Sequence, residues 1–351
     1  MKTVLVDVYK IKNVNSGLGQ FSLNFANSLA QYASNDLELN CLVPNSNSVL
    51  LDKKLKPLQS TLLNKHFPNK NNFDLWHSLH QFPSHIPNSK TKQILTIHDL
   101  NFLIEKSGTK KEKYLNELQK NVDRADFITT ISNHTLSEIE KHLDLKCKPV
   151  SVIYNGVSID NSTDLKRPDF INDSKFFFSI GIFNRKKNFH SLIPLLKNFE
   201  NTKLVLAGNN DTKYGQELKG IIKENGLEDN IILPGLISES DKNWLYQNTE
   251  ALLFPSLAEG FGLPVIEAMQ HGKPVFLSQE GSLPEVGGDL AFYFSDFEEK
   301  NMVSVIHKGL ENLRSAPDKF SDMSIEYGNK FNWENSIKSY LNLYQEILDN
   351  Q

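Results

Sequence analysis

Two glutamates stand eight positions apart around a glycine-rich turn in residues 252–275, LLFPSLAEGFGLPVIEAMQHGKPV. Pro264 stands where proline favours the first turn of a helix, and the glycines before it let backbone amides approach a ligand closely. A helix N-terminus with accessible amides attracts anions such as phosphate. A carboxylate beside a phosphate is unfavourable unless it accepts hydrogen bonds from hydroxyl groups. Glu259 and Glu267 therefore predict a site for sugar or ribose hydroxyls; a helix cap and a favourable first-turn acid are the structural alternative.

Three consecutive cations, Arg185, Lys186 and Lys187, follow an apolar run that ends at Gly181. Open α/β sheets bind ligands at the carboxyl ends of their strands, so these side chains are expected beside a ligand. A diphosphate is the anion that three adjacent cations would suit best. A solvated basic turn is the alternative interpretation.

Two weaker signals lie in the first half of the chain. Gly17 and Gly19 belong to the turn NSGLGQ after the first apolar run, but the turn lacks the complete glycine pattern of a dinucleotide site. His98 ends another apolar run, where a histidine more often has a structural role. The other histidines lack the spacing of a helical zinc pair, so we predict no metal site.

Absent motifs exclude other chemistries. The sequence contains neither the phosphate-binding loop G-x-x-x-x-G-K-[ST] nor the nucleophile elbow G-x-S-x-G, which argues against P-loop nucleotide hydrolysis and α/β-hydrolase chemistry. No Asp-x-Asp pair stands at the end of a predicted strand to hold Mg²⁺ against a diphosphate. We therefore expect lysine and arginine to neutralise the phosphate charge.

Composition indicates a globular protein of two domains. The sequence has 351 residues, of which 39% are hydrophobic and 23% charged, and its net charge of −4 argues against a nucleic-acid partner. Cys41 and Cys147 lie far apart without partner spacing, which excludes a disulfide framework and a cysteine-based zinc site. No run approaches the ~20 apolar residues of a membrane span, and the first residues lack the apolar core of a signal peptide. We expect a cytoplasmic protein.

Apolar runs alternate with amphipathic helical patterns along the chain, which predicts six strands in each half, βαβ units and doubly wound sheets. A further helix is predicted over Asn188–Phe199. The polar stretch 160–173 predicts a linker between domains of residues 1–160 and 174–330. A C-terminal helix, residues 333–351, has an apolar face and no strand after it, so it must pack on a domain already built.

Together these segments resemble the retaining glycosyltransferases of family 4, which have the GT-B fold. The resemblance rests on EGFGLPVIEAM, on RKKN after a strand-ending glycine, on SGLGQF in the first turn and on TIHDL before the middle of the chain. The motifs DLWH, RADFITTIS, YNGV and SLPEV stand in the family's order as well. The bacterial mannosyltransferase-like members are the most similar, and the resemblance extends over most of the chain.

The resemblance implies an α/β protein whose two Rossmann-like doubly wound domains face each other across a cleft, with the C-terminal helix crossing back to the N-terminal domain. It implies retaining, metal-independent transfer of a hexosyl unit, mannosyl first, in cell-surface polysaccharide synthesis. The donor would be a nucleotide-diphosphate sugar, GDP-mannose or a UDP-hexose, with no further cofactor. An epimerase of the same fold and a non-catalytic sugar-nucleotide-binding subunit are the alternatives.

The acceptor implied is a glycan or a lipid-linked oligosaccharide, and we expect its site in the irregular loops of residues 44–92. The first 160 residues carry a net charge of +4 and the remainder −8. A basic first half would suit an anionic acceptor or a peripheral contact with membrane headgroups at the inner face of the plasma membrane. Solvated lysines are the simpler interpretation of the same charge.

The resemblance also implies roles for individual residues. Glu259 would contact the hydroxyls of the donor sugar, and His98 would touch that sugar near the reacting carbon. Glu267 would hold the ribose hydroxyls, and Lys187 would bind the diphosphate together with either Arg185 or Lys186. The remaining expected contacts to the donor come from backbone groups, at Gly17, Gly19, Ile237, Phe261, Gly262 and Leu263.

Overall fold

The computed structural model describes residues 1–14, 16–34, 36–44, 50–60, 72–158 and 165–350. The chain divides into two compact units, one of Met1–Gly156 with Asn332–Gln351 and one of Val157–Phe331. Parts of the predicted linker (160–164) and of the predicted acceptor loops (45–49 and 61–71) lie outside the described residues, as does Asn15 of the first turn.

The first unit contains a seven-stranded parallel sheet in the order β3-β2-β1-β4-β5-β6-β7. Strand β1 (Lys2–Asp7) lies inside this sheet and is apolar on both faces, because Val4 and Val6 belong to one core cluster and Leu5 to another. This explains why the run is continuous in sequence rather than alternating. The strands are β1 (Lys2–Asp7), β2 (Leu37–Val43), β3 (Lys56–Gln59), β4 (Leu75–Ser78), β5 (Lys92–Ile97), β6 (Phe127–Thr130) and β7 (Val150–Val152).

Strand β3 is the one that the sequence analysis missed in this unit. It is an edge strand with the sequence KPLQ, it is largely exposed, and it pairs only with β2 among the described strands. A proline-containing edge strand lacks the apolar signal by which buried strands are recognised.

Helices cover this sheet. Helix α1 begins where the Ser16 hydroxyl accepts a hydrogen bond from the Gly19 amide at 3.1 Å, and it buries Phe21, Phe25 and Leu29. Such a cap satisfies one of the amides left free at a helix start. The helices of the unit are α1 (Gly17–Tyr32), α2 (Phe102–Glu105), α3 (Gly108–Arg124), α4 (Asn133–His142) and the C-terminal α11 (Trp333–Asp349).

Helix α11 packs on the first unit, as the resemblance implied. Its buried apolar face shares a core cluster with α1 and β1. A buried polar chain fixes its position: His77 Nδ1 lies 2.6 Å from the Tyr344 hydroxyl, and His77 Nε2 lies 2.7 Å from Thr96 Oγ1. Burial, with a smaller effect of nearby His98, lowers the pKa of His77 to about 3, so the imidazole is neutral at physiological pH.

The second unit contains a six-stranded parallel sheet in the order β10-β9-β8-β11-β12-β13. All six strands predicted for this half are present, and the order reverses between β8 and β11, as in doubly wound sheets. The strands are β8 (Lys175–Ile180), β9 (Thr202–Ala207), β10 (Ile231–Gly235), β11 (Ala251–Phe254), β12 (Val275–Leu277) and β13 (Phe292–Tyr293). The helices are α5 (Lys213–Glu224), α6 (Glu239–Asn248), α7 (Leu263–Gln270), α8 (Leu283–Gly287), α9 (Glu299–Arg314) and α10 (Pro317–Gly328).

The α-helix predicted over Asn188–Phe199 is wrong. The segment instead forms two short 3₁₀ helices, Phe189–Leu192 and Pro194–Asn198. Asn188 adopts the left-handed region with φ 55°, and Pro194 lacks the amide that an α-helical ladder would need there. The buried apolar side chains that suggested a helix face still pack into the core of this unit.

No helix in the described part of the chain combines the length and the apolar character needed to span a bilayer. The cytoplasmic location and the peripheral membrane contact stay predictions.

The buried His77–Tyr344 contact predicts a measurable stability effect. Tyr344→Phe leaves a buried imidazole nitrogen without its partner and should lower the free energy of unfolding by about 1–3 kcal/mol. Tyr154→Phe removes an exposed hydroxyl of the same unit and is the matched control, with an expected change below about 0.5 kcal/mol. Chemical denaturation measures both, and equal effects of the two changes would contradict the role of the buried contact.

Candidate functional site

The candidate site of the second unit begins in the loop between β11 and α7. Gly262 precedes α7 in the left-handed region with φ 109°, a conformation that favours glycine. As the N-cap residue it has no side chain to offer the first amides of the helix, and Pro264 occupies the first turn. No N-cap side chain therefore competes with a ligand for the first amides of this helix.

Glu259 forms a largely buried ion pair with Lys187. The Lys187 Nζ atom lies 2.6 Å from Glu259 Oε1, and the two side chains are only 11% and 14% exposed. The Ser256 hydroxyl donates to the same carboxylate oxygen at 2.5 Å. The ammonium also lies 4.7 Å from the centre of the Phe254 ring. The structure thus brings together a cation and an acid that are 72 positions apart in sequence.

A backbone hydrogen bond joins the two loops that carry this pair. The Lys186 carbonyl accepts from the Leu257 amide at 2.7 Å, and the Ser256 hydroxyl oxygen lies 3.1 Å from the same carbonyl oxygen. The loops follow β8 and β11, which are neighbours at the point where the strand order reverses. Gly181, at the end of β8, makes room for the lysine, because a Cβ there would lie 2.6 Å from Lys187 Cε. A crevice at such a reversal is where open α/β sheets bind ligands.

The three consecutive cations point in different directions. Arg185, Lys186 and Lys187 form a single 3₁₀ turn, in which successive side chains are about 120° apart. The exposed Arg185 guanidinium lies 2.5 Å from Glu217 on α5 and 5.9 Å from the Tyr214 ring centre. Lys187 is the cation that the structure pairs with Glu259 at 2.6 Å. A role for Arg185 or Lys186 at the diphosphate stays a prediction.

Glu267 is held by two side chains of α6. Lys242 Nζ lies 2.9 Å from Glu267 Oε1, and the Tyr246 hydroxyl donates to Oε2 at 2.7 Å. Lys242 also pairs with Glu239 at 2.8 Å. Burial opposes the charge of Lys242, but the two carboxylates outweigh it and raise the pKa of this lysine above its ordinary value. Burial, reinforced by the Glu267 charge, raises the pKa of Tyr246 well above its usual range.

The sequence analysis missed Lys242 and Tyr246. They stand four positions apart and so share one face of a helix, which was a usable signal. Nothing in the sequence connects that face to Glu267, which follows Lys242 by 25 positions and Tyr246 by 21.

The other expected donor contacts of this unit lie nearby in the fold. Leu263 is the first residue of α7, and the buried ring of Phe261 packs against Phe331 at 5.8 Å between ring centres. Half-buried Ile237 follows the edge strand β10, next to the exposed Leu236. These positions are at the carboxyl edge of the second sheet; their contacts with a donor stay predictions.

The two glycines of the first turn differ in what surrounds them. A Cβ at Gly19 would lie 2.0 Å from the Asn13 carbonyl oxygen, so α1 can approach the preceding turn only with glycine there. A Cβ at Gly17 would meet no described atom within 4 Å. Gly19 therefore has a packing role as well, and the expected close approach of a phosphate stays a prediction for both glycines.

His98 follows β5 at the carboxyl edge of the first sheet. Its Nε2 atom donates to the Leu79 carbonyl at 2.8 Å, since a carbonyl can only accept, and its ring meets Phe21 edge to face at 4.8 Å. Burial lowers the pKa of His98 to about 4; the Leu79 carbonyl opposes this, and the Lys10 charge adds to it. The imidazole is therefore neutral, with Nδ1 as a hydrogen-bond acceptor.

Asp7, Lys10 and His80 also gather at this edge and were missed by the sequence analysis. Asp7 ends β1, where the strand order reverses towards β4, and its carboxylate accepts from the Tyr9 amide at 3.0 Å. Burial raises the pKa of Asp7 to about 6, against the lowering effects of that amide and of Lys10. The His80 ring lies 6.1 Å from that of His98. Their positions at or shortly after the end of a strand were the sequence feature that could have revealed them.

Among the described residues, no group of three or more His, Cys, Asp or Glu side chains is arranged to hold a metal ion. Metal independence stays a prediction. Its support is the expected neutralisation of the phosphate charge by lysine and arginine side chains.

Two family models match consecutive parts of the chain. The model described as glycosyltransferase family 4 matches residues 41–161, and the model described as glycosyl transferases group 1 matches residues 160–328. The O-antigen chain mannosyltransferase RfbU of Salmonella typhimurium is 29% identical over 239 residues, which span 67% of this chain and 65% of that protein. The serotype-specific mannosyltransferase WbdA of Escherichia coli is 26% identical over 277 residues, 73% of this chain and 34% of that protein.

Solved structures share the fold over the whole length. Sucrose-phosphate synthase from Thermosynechococcus elongatus superposes with a TM-score of 0.78 at 16% identity, covering 100% of both chains. HepE from Anabaena, solved in complex with UDP and glucose, gives a TM-score of 0.75 at 17% identity over 99% of this chain and 100% of that one. Two doubly wound parallel sheets with this likeness define the GT-B class of glycosyltransferases. Within that class, the two family models together place residues 41–328 among the glycosyltransferases of family 4 and group 1.

The buried environment of His98 predicts its titration. We expect an NMR titration of the imidazole to give a pKa near 4, with Nε2 protonated above it; the signal absent from His98→Gln identifies the residue. Because the pKa is below the ordinary 6.5, the folded state binds fewer protons than the unfolded state between these values. His98 should therefore cost about 1.4 kcal/mol of stability per pH unit as the pH falls from 6.5 towards 4. Titration above pH 6 would contradict the burial.

Proposed function

We propose that this protein is a retaining glycosyltransferase that moves a hexosyl unit from a nucleotide-diphosphate sugar to a glycan or lipid-linked acceptor in polysaccharide synthesis. Mannose is the first candidate for the transferred sugar. The observation that carries the proposal is the Lys187–Glu259 pair beside the start of α7. It combines a cation and helix amides for a diphosphate with a carboxylate for sugar hydroxyls. The two mannosyltransferase relatives support mannose as the first donor sugar.

The ion pair fits a donor that carries both phosphate and hydroxyl groups. A lysine ammonium has three N–H donors, and Lys187 directs one of them at Glu259. The other two would meet phosphate oxygens. Glu259 Oε1 already accepts from Lys187 and Ser256, so the other carboxylate oxygen, Oε2, would accept from sugar hydroxyls. Because the acid and the lysine neutralise each other, the carboxylate does not repel the incoming diphosphate as an unpaired one would.

The reaction itself separates charge at two places. The bond between the anomeric carbon and the phosphate oxygen breaks, and the acceptor oxygen bonds to the same face of that carbon. The acceptor proton passes to a phosphate oxygen, so no carboxylate nucleophile is needed. Lys187 and the amides at the start of α7 would stabilise the departing diphosphate, which is the largest charge that develops. Neutral His98 would accept a hydrogen bond from the donor sugar.

A panel of donors tests the function without knowledge of the acceptor. UDP- and GDP-linked hexoses are incubated with the protein, and the release of nucleoside diphosphate is measured with and without EDTA. We expect slow release from one donor, water replacing the acceptor, and no loss with EDTA because lysine and helix amides carry the phosphate charge. Conversion of a donor to its epimer, or tight binding with no release under any condition, would contradict a transferase. Loss reversed by Mg²⁺ would contradict metal independence.

Replacing each member of the ion pair should separate the two recognition tasks. Lys187→Met removes a charged hydrogen-bond donor and should weaken nucleoside diphosphate binding about 10- to 100-fold by calorimetry. Glu259→Gln keeps the shape and should reduce turnover far more than the affinity for the diphosphate alone. Lys175→Met is the matched control: Lys175 is exposed at the first position of β8, the strand that leads to the Lys187 loop, and its replacement should change neither diphosphate affinity nor turnover. Unchanged diphosphate affinity in Lys187→Met would exclude its role at the phosphate.

A further inference from the structure

We propose that Lys242 and Tyr246 of α6 are positioning residues that hold the Glu267 carboxylate in the orientation in which it accepts two neighbouring ribose hydroxyls. The inference rests on the proposed function and adds to it a support for nucleoside recognition that comes from a different helix. Each residue binds a different carboxylate oxygen, Lys242 at 2.9 Å and Tyr246 at 2.7 Å.

The two contacts fix the rotation of the carboxylate. A glutamate with one partner can turn about its last side-chain bond, whereas a glutamate bound at both oxygens cannot turn without losing one contact. Each carboxylate oxygen accepts two hydrogen bonds, so each keeps one lone pair for a ligand. Two oxygens about 2.2 Å apart and fixed in one plane suit a pair of adjacent hydroxyls such as those of ribose. The ligand chemistry is therefore a vicinal diol.

Lys242 also neutralises Glu267 where a negative charge would be harmful. Glu267 is the fifth residue of α7, about 6 Å along the axis from the helix start where the diphosphate is proposed to bind. Its side chain is 16% exposed and that of Lys242 19%, so solvent screens the pair only in part. Glu239, 74% exposed, binds the outer side of the same ammonium and completes a row of alternating charges.

Tyr246 is itself held on two sides. Its ring meets Phe178 of β8 edge to face at 5.1 Å and stacks on His271 at 5.8 Å with 14° between the planes. The side chain is fully buried. Its hydroxyl therefore has one fixed direction, towards Glu267, and the sheet core determines where the carboxylate points.

The test compares nucleotides with and without the diol. Calorimetry measures the affinity of UDP and GDP and of their 2′,3′-dideoxy analogues for the wild-type protein and for Tyr246→Phe. The wild type should prefer the ribose form of the nucleotide it binds, and Tyr246→Phe should reduce that preference about fivefold, with the dideoxy affinity unchanged. Tyr293→Phe, which removes a hydroxyl bonded to the Gly288 carbonyl in the same unit, is the matched control and should keep the full preference.

The outcomes separate this inference from the proposed function. If the wild type binds neither nucleotide, the proposed function fails and the inference with it. If the wild type prefers ribose and Tyr246→Phe keeps the whole preference, or loses affinity for both forms equally, the positioning role alone is overturned. Lys242→Met, on the less buried side of α6, gives the same readout should Tyr246→Phe fail to fold, and Lys242→Arg should restore part of the preference.

Discussion

The ion pair between Lys187 and Glu259 is the contact on which the rest of the second unit's site depends. It joins the loops after β8 and β11, which are neighbours only because the strand order of the sheet reverses between them. A backbone hydrogen bond from the Leu257 amide to the Lys186 carbonyl joins the same loops, so the backbone holds the two charged side chains close together. A buried pair of this kind is worth little as net stability, because desolvation offsets its attraction. Its consequence is a fixed arrangement of charge at the start of α7.

Both acids of the 252–275 segment reach the site already neutralised by a lysine from another element. Glu259 has Lys187 from the loop after β8, and Glu267 has Lys242 from α6. The proposed diphosphate would carry negative charge into the same region, and two unpaired buried carboxylates would oppose it strongly. Pairing removes that opposition and leaves lone pairs on both acids for hydroxyl groups. This arrangement supports the proposal of a site for an anion and a polyol together, which is the combination that a nucleotide-diphosphate sugar presents.

Two buried histidines of the first unit carry no charge, unlike the ion-paired acids of the second unit. They are neutral because burial lowers the pKa of His77 to about 3 and that of His98 to about 4. His77 has a structural role, because its hydrogen bond to Tyr344 joins β4 of the first sheet to the C-terminal helix. His98 lies at the carboxyl edge of the same sheet, where its neutral imidazole donates from Nε2 to the Leu79 carbonyl and keeps Nδ1 as an acceptor.

The sequence by itself determined the alternation of strands and helices, the family, the importance of residues 252–275 and the return of the apolar C-terminal helix, because each is written in local periodicity or in contiguous motifs. It could not determine which of three adjacent cations meets Glu259, since a 3₁₀ turn spreads them and Arg185 goes to Glu217 instead. Nor could it find Lys242 and Tyr246, or distinguish the crowded Gly19 from the open Gly17. Spacing along the chain fixes contacts within one element. Contacts between elements 21 to 72 positions apart depend on the order of the strands and on burial, which only the tertiary structure decides.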